Sequence, residues 1–253
     1  MSIRRALGRS TDGWRIVCLD RVGSTNDVAR RAGELGLAER LAVFAELQAA
    51  GRGRLGRRWE APPGLGLTGS TLWRPPVRPE HVGTLAQVAG VAAIRALAAC
   101  RVDARLKWPN DVLLGDAKAG GILIESAFEG DAVSYVVVGI GLNVRQRAED
   151  LPPTPYPATS VLLSTGRTLD RSALAGELLR ALGTTYDHWL ADPLAVFTDW
   201  RAALSTLGRP VTLGGQSGVA RDVEPSGALV FERADGTVDR YFNGEVGAVR
   251  AGS

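Results

Sequence analysis

Apolar residues recur at three- and four-residue steps between Val82 and Leu97, where Val82, Leu85, Val88, Val91, Ala92, Ile94 and Leu97 share one side of a 3.6-residue spiral. That spacing predicts a long helix with one buried face. Leucines at helical spacing around Leu174, Leu178 and Leu182 predict a second helix over 169–190, and a further helical stretch covers 194–204. A shorter helix starts at Ser24-Thr25-Asn26-Asp27, whose hydroxyl and amide groups are available to cap its first N–H groups. Apolar runs bounded by Gly, Pro and Asp predict strands at 41–47, 68–73, 102–107, 122–126 and 135–144, the last two joined by a Glu129-Gly130-Asp131 turn. After an irregular proline-rich connection at 151–157, the two C-terminal helices lead to Gly208, where the texture changes. Short runs at 211–213, 219–223, 228–231, 238–242 and 246–249 alternate with turn residues, which predicts a small all-β barrel-like module.

Two stretches match the dinucleotide pattern GxGxxG, Gly51 to Gly56 and Gly64 to Gly69. That pattern serves a pyrophosphate only when a helix begins inside it. Pro62-Pro63 follow the first and a predicted strand follows the second, so neither qualifies. A P-loop is excluded because no lysine stands in a Gly-Lys-Ser/Thr context.

The chain has 253 residues, 45% of them hydrophobic and 23% charged, enough to fill one large globular domain or two unequal ones. No apolar run follows the arginines of the first ten residues, and the most apolar stretch, 85–100, is interrupted by Gln87 and Arg95. Neither a signal peptide nor a membrane span is expected, and the cytoplasm is the expected location. Cys18 and Cys100 lack CxxC spacing, and His81 and His188 are isolated, so no metal-ligand set and no Ser-His-Asp or Cys-His arrangement emerges. The chemistry then rests on cations, hydrogen bonds and a metal carried by a nucleotide.

A net charge of +3 suits an anionic substrate or a nucleic acid, and the placement of the charge says more than its sum. Four arginines fall within Gly51-Arg52-Gly53-Arg54-Leu55-Gly56-Arg57-Arg58-Trp59. The glycines permit close backbone approach to a ligand, and the guanidinium groups can grip phosphate oxygens in forked pairs. A loop with so many like charges has little to hold it without an anion, so it is expected to be disordered in the free protein. Only two lysines occur, Lys107 in Lys107-Trp108-Pro109-Asn110-Asp111 and Lys118 in Lys118-Ala119-Gly120-Gly121-Ile122-Leu123. An ammonium is a compact charge that can approach a single oxygen, which a planar guanidinium does less well. Asp111 can hold a Mg²⁺ that arrives with a nucleotide, since hard cations take a few carboxylate oxygens together with phosphate. Gly139-Ile140-Gly141-Leu142-Asn143-Val144 again offers open backbone at a strand end.

Taken in order, Gly23-Ser24-Thr25-Asn26, Gln48, the Gly51–Trp59 loop, the Lys107 and Lys118 segments and the Gly139–Val144 stretch resemble the biotin protein ligases. The resemblance implies an α+β fold: a mixed-sheet catalytic domain like that of class II aminoacyl-tRNA synthetases, over 1–206, and a small SH3-like domain over 207–253. It implies formation of biotinyl-5′-adenylate from biotin and MgATP, then transfer to a lysine of a biotin carboxyl carrier domain of an acetyl-CoA or acyl-CoA carboxylase. ATP, Mg²⁺ and biotin act as substrates, and no tightly bound prosthetic group is expected.

By motif match, the resemblance implies that Ser24, Thr25, Asn26, Gln48, Gly51, Arg52, Gly53, Arg54, Trp59, Lys118, Gly121 and Ile122 hold biotin. It assigns the nucleotide to Arg52, Arg54, Arg57, Trp59, Lys107, Asn110, Asp111, Lys118 and Asn143, with Trp59 facing the adenine and Asp111 near Mg²⁺. Lys118 and Arg54 are the implied catalytic residues. Ala117 and the Gly64–Gly69 stretch depart from the residues the likeness leads one to expect, which touches details of nucleotide contact. Some two dozen residues precede Ser24, too few for a winged DNA-binding domain, so no operator binding is expected. Separately, neither a nucleic-acid nor a membrane partner is expected, and the chain is expected as a monomer or weak homodimer. The rival readings are a lipoate or octanoate ligase, which needs less polar recognition at the ring end, and a nucleic-acid-binding module.

Overall fold

The computed structural model describes residues 13–152 and 156–248. Its centre is a seven-stranded sheet in the order β1-β2-β3-β7-β6-β5-β4. The strands are β1 (Arg15–Val22), β2 (Leu41–Gln48), β3 (Gly66–Trp73), β4 (Arg105–Lys107), β5 (Asp111–Leu114), β6 (Ala117–Glu129) and β7 (Ala132–Asn143). Only β1 and β2 run parallel, joined by helix α1 (Thr25–Glu34); the other neighbours are antiparallel. β1 and β5 were not among the expected strands.

Alternation along β7 divides the sheet into two faces. Val136, Val138, Ile140 and Leu142 point into the main core, where they meet helices α2 (Leu85–Ala99), α4 (Arg171–Ala191) and α5 (Pro193–Ala203). An aromatic column ties α4 to the sheet, with Trp73 lying 5.2 Å from Trp14 and 4.3 Å from Tyr186. On the other face, Ala29 and Ala32 of α1 pack on Val43, Leu72, Tyr135 and Val137. A ten-residue helix spans only ~15 Å, whereas the twelve residues of β7 extend ~40 Å. The far end of β7 therefore emerges from beneath α1 with its residues uncovered by helix.

Helix α3 (Val161–Thr165) is a single capped turn, with Ser160 Oγ accepting from the Leu163 N–H. Ser24 does not cap α1 with its side chain, contrary to expectation. Its neighbours Thr25 and Asn26 are instead turned into a polar cluster beneath the sheet face.

From Pro210 a second, five-stranded antiparallel sheet forms, in the order β11-β10-β9-β8-β12. Its strands are β8 (Pro210–Leu213), β9 (Gln216–Val223), β10 (Leu229–Arg233), β11 (Val238–Tyr241) and β12 (Gly247–Ala248). The expected run to Val249 extends beyond the described residues. Val211, Phe231 and Val246 join the same hydrophobic cluster as the main helices, and Trp108 is the joint between the two sheets. Trp108 is buried, its backbone N–H donates to Thr206 Oγ1 at 2.9 Å and its indole N–H donates to the Gly227 carbonyl at 2.9 Å. Trp108→Phe leaves that carbonyl without its buried donor, at a cost of about 1–3 kcal/mol. Urea unfolding is expected to show a lower midpoint and an unfolding free energy reduced by that amount; an unchanged midpoint would remove Trp108 as the joint.

Candidate active site

The uncovered end of β7 forms the floor of a cavity of about 400 Å³, within the size range of small-molecule sites. Two glycines make the floor. A β-carbon on Gly139 would stand 2.3 Å from Asn26 Oδ1, and one on Gly141 would stand 2.3–2.6 Å from the Trp59 ring. Glycine is thus required at both positions by close approach, and Gly121 of β6 pairs directly with Gly141 to widen the bare patch.

At one end the walls are neutral and hydrogen-bonding. The Thr25 N–H donates to Gln48 Oε1 at 2.7 Å, and Thr25 Oγ1 lies 2.9 Å from the same oxygen. Ser70 Oγ lies 2.6 Å from Thr25 Oγ1 and 2.5 Å from Asn26 Oδ1, while Asn26 Nδ2 donates to Glu125 Oε2 at 2.6 Å. Trp59 lies over Gly141 with its indole N–H buried and without an acceptor among the described residues, leaving one more donor at the cavity wall.

The other end is cationic. The lining carries Arg54, Arg57, Arg58, Lys107 and Lys118 against Glu60, Asp111 and Glu245, with Arg52 at the border between the two ends, where Asp27 and Glu125 hold it. Trp108, Pro109 and Asn110 form the turn of the β4–β5 hairpin, through a cis Trp108–Pro109 peptide, and bring Lys107 and Asp111 opposite each other. Asp111 belongs to β5 rather than to the turn. Lys118 Nζ is 2.5 Å from Asp111 Oδ1. The backbone of Lys118 is pinned as well, its N–H donating to the Pro157 carbonyl and its carbonyl accepting from the Thr159 N–H, each at 2.8 Å. Lys107 Nζ stands 3.4 Å above the centre of the Tyr156 ring, a cation–π contact, and Tyr156 Oη donates to the Val246 carbonyl in the connection between β11 and β12. Burial pushes the Lys107 ammonium below the ordinary lysine range, opposed by the charge of Asp111. Burial likewise lowers the Arg54 guanidinium.

The arginine loop covers this end as a closed hairpin. The Gly53 N–H donates to the Arg57 carbonyl at 2.7 Å, the Trp59 N–H donates to the Gly51 carbonyl at 3.0 Å, and the 3₁₀ turn between them puts Leu55 at φ 57°. Contrary to the expectation of a loop with nothing to hold it, three carboxylates from distant segments receive its arginines. Arg52 makes a forked pair with Asp27 at 2.9 Å on both oxygens and reaches Glu125 at 3.2 Å. Arg57 donates to Glu245, whose carboxyl it holds below the usual carboxylate range. Arg54 donates to Asn110 Oδ1 at 3.0 Å.

Of the residues singled out by sequence, all but Gly51 line the cavity. Gly51 lies along the outer groove beneath the loop, and a β-carbon there would stand 2.3 Å from the Trp59 carbonyl, so its place is structural. The Ile122 side chain points the other way, into the helix core, and only its backbone borders the site. The Asn143 amide is engaged at both ends, donating to the Thr159 carbonyl and accepting from Gln146 Nε2. Ser70, Glu125, Tyr156 and Glu245 were not foreseen; no motif marks them, and they meet the others only through the fold.

Residues 18–143 match the biotin/lipoate A/B protein ligase family. The biotin–[acetyl-CoA-carboxylase] ligase of Mycobacterium tuberculosis is 35% identical over 249 residues, covering 94% of this chain and 91% of that protein. This chain belongs to the biotin/lipoate A/B protein ligase family. Among solved structures of biotin protein ligases, that of Aquifex aeolicus in complex with biotin and ATP is similar with a TM-score of 0.76 at 28% identity, covering 92% of this chain and 97% of that one. That of Leishmania major in complex with biotinyl-5-AMP is similar with a TM-score of 0.62 at 27% identity, covering 90% and 98%. The likeness spans both sheets, so the α+β architecture with a small C-terminal β domain is that of the family.

The Arg57–Glu245 pair is half exposed, and such pairs contribute up to about 1 kcal/mol. Glu245→Gln is expected to raise the rate of trypsin cleavage within the arginine loop roughly two- to fivefold. An unchanged cleavage rate would show that the C-terminal sheet does not hold the loop.

Proposed function

We propose that the chain activates biotin with MgATP, giving biotinyl-5′-adenylate and pyrophosphate, and then transfers the biotinyl group to a lysine of a biotin carboxyl carrier domain with release of AMP. The observation that carries this reading is the polarity of the cavity. A neutral hydrogen-bonding end faces a cationic end across Lys118, as an acid with a polar ring and a triphosphate require, in a chain resembling ligases solved with biotin and ATP or with biotinyl-5-AMP.

Ser24, Thr25 and Gln48 surround the ureido ring, and Asn26 supports them from behind. The bare backbone of Gly121 and Gly139–Gly141 gives the aliphatic tail its path. Lys118 meets the negative charge that grows on the carboxylate and α-phosphate oxygens during displacement, a charge-stabilising role that a pinned backbone and a single-point ammonium suit. Arg52, Arg54, Arg57 and Lys107 take the phosphates, with Asn110 aiming Arg54. Mg²⁺ comes with the nucleotide, and Asp111 is the carboxylate placed to meet it; among the described residues no cluster of three or more His, Cys, Asp or Glu side chains forms a resident metal site. The arginine loop excludes water from the mixed anhydride, which would otherwise hydrolyse. Residues 1–206 form the catalytic domain and 207–253 the C-terminal domain, and the carrier belongs to an acetyl-CoA or acyl-CoA carboxylase.

The rival within the family, a lipoate or octanoate ligase, gains nothing from the polar end, because a linear acyl chain has no ring N–H to place there. ATP–pyrophosphate exchange in the presence of Mg²⁺ separates the two. Exchange is expected with biotin and not with lipoate or without acid, and Lys118→Arg is expected to lower it by ~100-fold. Exchange with lipoate alone would move the assignment to the sister activity; none with any acid would overturn it.

A further inference from the structure

We infer that Glu125 is a specificity-determining positioning residue: by fixing the Asn26 amide it leaves the ring pocket short of one hydrogen, so the pocket demands an N–H donor from its ligand. This role rests on the proposed biotin activity and deepens it.

Counting protons exposes the shortage. Between Gln48 Oε1, Thr25 Oγ1, Ser70 Oγ and Asn26 Oδ1 there are three successive oxygen–oxygen contacts, of 2.9, 2.6 and 2.5 Å. Only the two hydroxyls carry protons to fill them, because amide oxygens solely accept. Gln48 Oε1 already accepts the Thr25 N–H, and its own N–H groups lie on the other side of the amide. One of the three contacts is therefore without a proton in the empty pocket.

What enforces the deficit is the direction of Asn26. An ionised carboxylate only accepts, so Glu125, 2.6 Å away, must receive the Asn26 NH₂ and turn its oxygen to Ser70. With the amide reversed, its NH₂ would supply the third proton and the chain would close on itself. Glu125 holds the donor-poor arrangement, and its carboxylate is itself held in place by Arg52. Ser70 is buried and does not line the cavity, so solvent reaches the chain of oxygens only from the cavity side, at Thr25, Asn26 and Gln48. A cyclic urea can donate an N–H to the cavity-facing oxygen, of Thr25 or Asn26, that the shortage leaves without a donor. A carboxylic acid lacking an N–H cannot.

The test uses the whole protein, with calorimetric titration of biotin and of octanoate, an acid without an N–H. Glu125→Gln lets the Asn26 amide turn, and its biotin affinity is expected to fall about tenfold, equivalent to about 1.4 kcal/mol, with octanoate binding unchanged. In the double substitution Asn26→Asp/Glu125→Gln the carboxylate at position 26 again cannot donate to Ser70, while the amide at position 125 donates to that carboxylate. Biotin affinity is then expected to return to within roughly threefold of the parent. A Glu125→Gln protein that binds biotin like the parent would overturn the inference. So would a loss that the double substitution does not recover, which would assign Glu125 to Arg52 alone. Failure of the parent protein to bind biotin at all would instead refute the proposed function.

Discussion

Everything the site does depends on a strip of sheet that nothing covers. Helix α1 is too short to follow β7 to its end, and beyond Tyr135 and Val137 the strand carries glycine at both positions on that face before Asn143. Any side chain at Gly139 or Gly141 would occupy the space of Asn26 or Trp59. The bare strip thus sets the depth of the cavity, the seat of the indole and the approach of the α1 N-terminus together. Val136, Val138, Ile140 and Leu142 of the same strand are ordinary core, so one twelve-residue segment supplies both a packing face and a binding floor.

Charge is arranged in layers around that strip. Lys118 is paired with Asp111 on the sheet, and the arginine loop lies outermost, tied to acids from α1, β6 and the segment after β11. Such surface pairs are individually weak, so a ligand with several anionic oxygens can compete for the same guanidinium groups while the hairpin backbone keeps its shape. The C-terminal sheet takes part in the site: Glu245 receives Arg57, and Val246 receives the Tyr156 hydroxyl beneath Lys107. The same dependence explains why Trp108 is buried at the joint, since that residue fixes the hairpin carrying both Lys107 and Asp111 against the second sheet.

Much of this was legible in the sequence where the physics is local. The helices over 85–99 and 171–191 follow from apolar spacing over four or more turns, and the two decoy glycine motifs were excluded because no helix could start in them. β1 escaped because it is an edge strand whose exposure does not alternate cleanly. β5 escaped because four residues, three of them buried, carry no period. Motif residues such as Lys118 and Arg54 could be singled out because glycine and rare lysine surround them. Glu125 and Glu245 could not, since they lie 99 and 188 residues from the partners Asn26 and Arg57, and a single glutamate in a strand or turn looks like any solvated acid. Ile122 shows the opposite failure, in which a residue inside a telling motif turns its side chain to the other face.

On the proposed function, one continuous cavity would hold the biotin ring at its Thr25–Gln48 end, the reacting carboxylate at Lys118 and the phosphates beneath the arginine loop. A crystal structure with biotin and a non-hydrolysable ATP analogue tests that polarity most directly. The ureido ring is expected against Ser24, Thr25 and Gln48, the biotin carboxylate at Lys118 and the triphosphate among Arg52, Arg54, Arg57 and Lys107. A ring seated beneath the arginine loop, or phosphates at the Thr25 end, would contradict it.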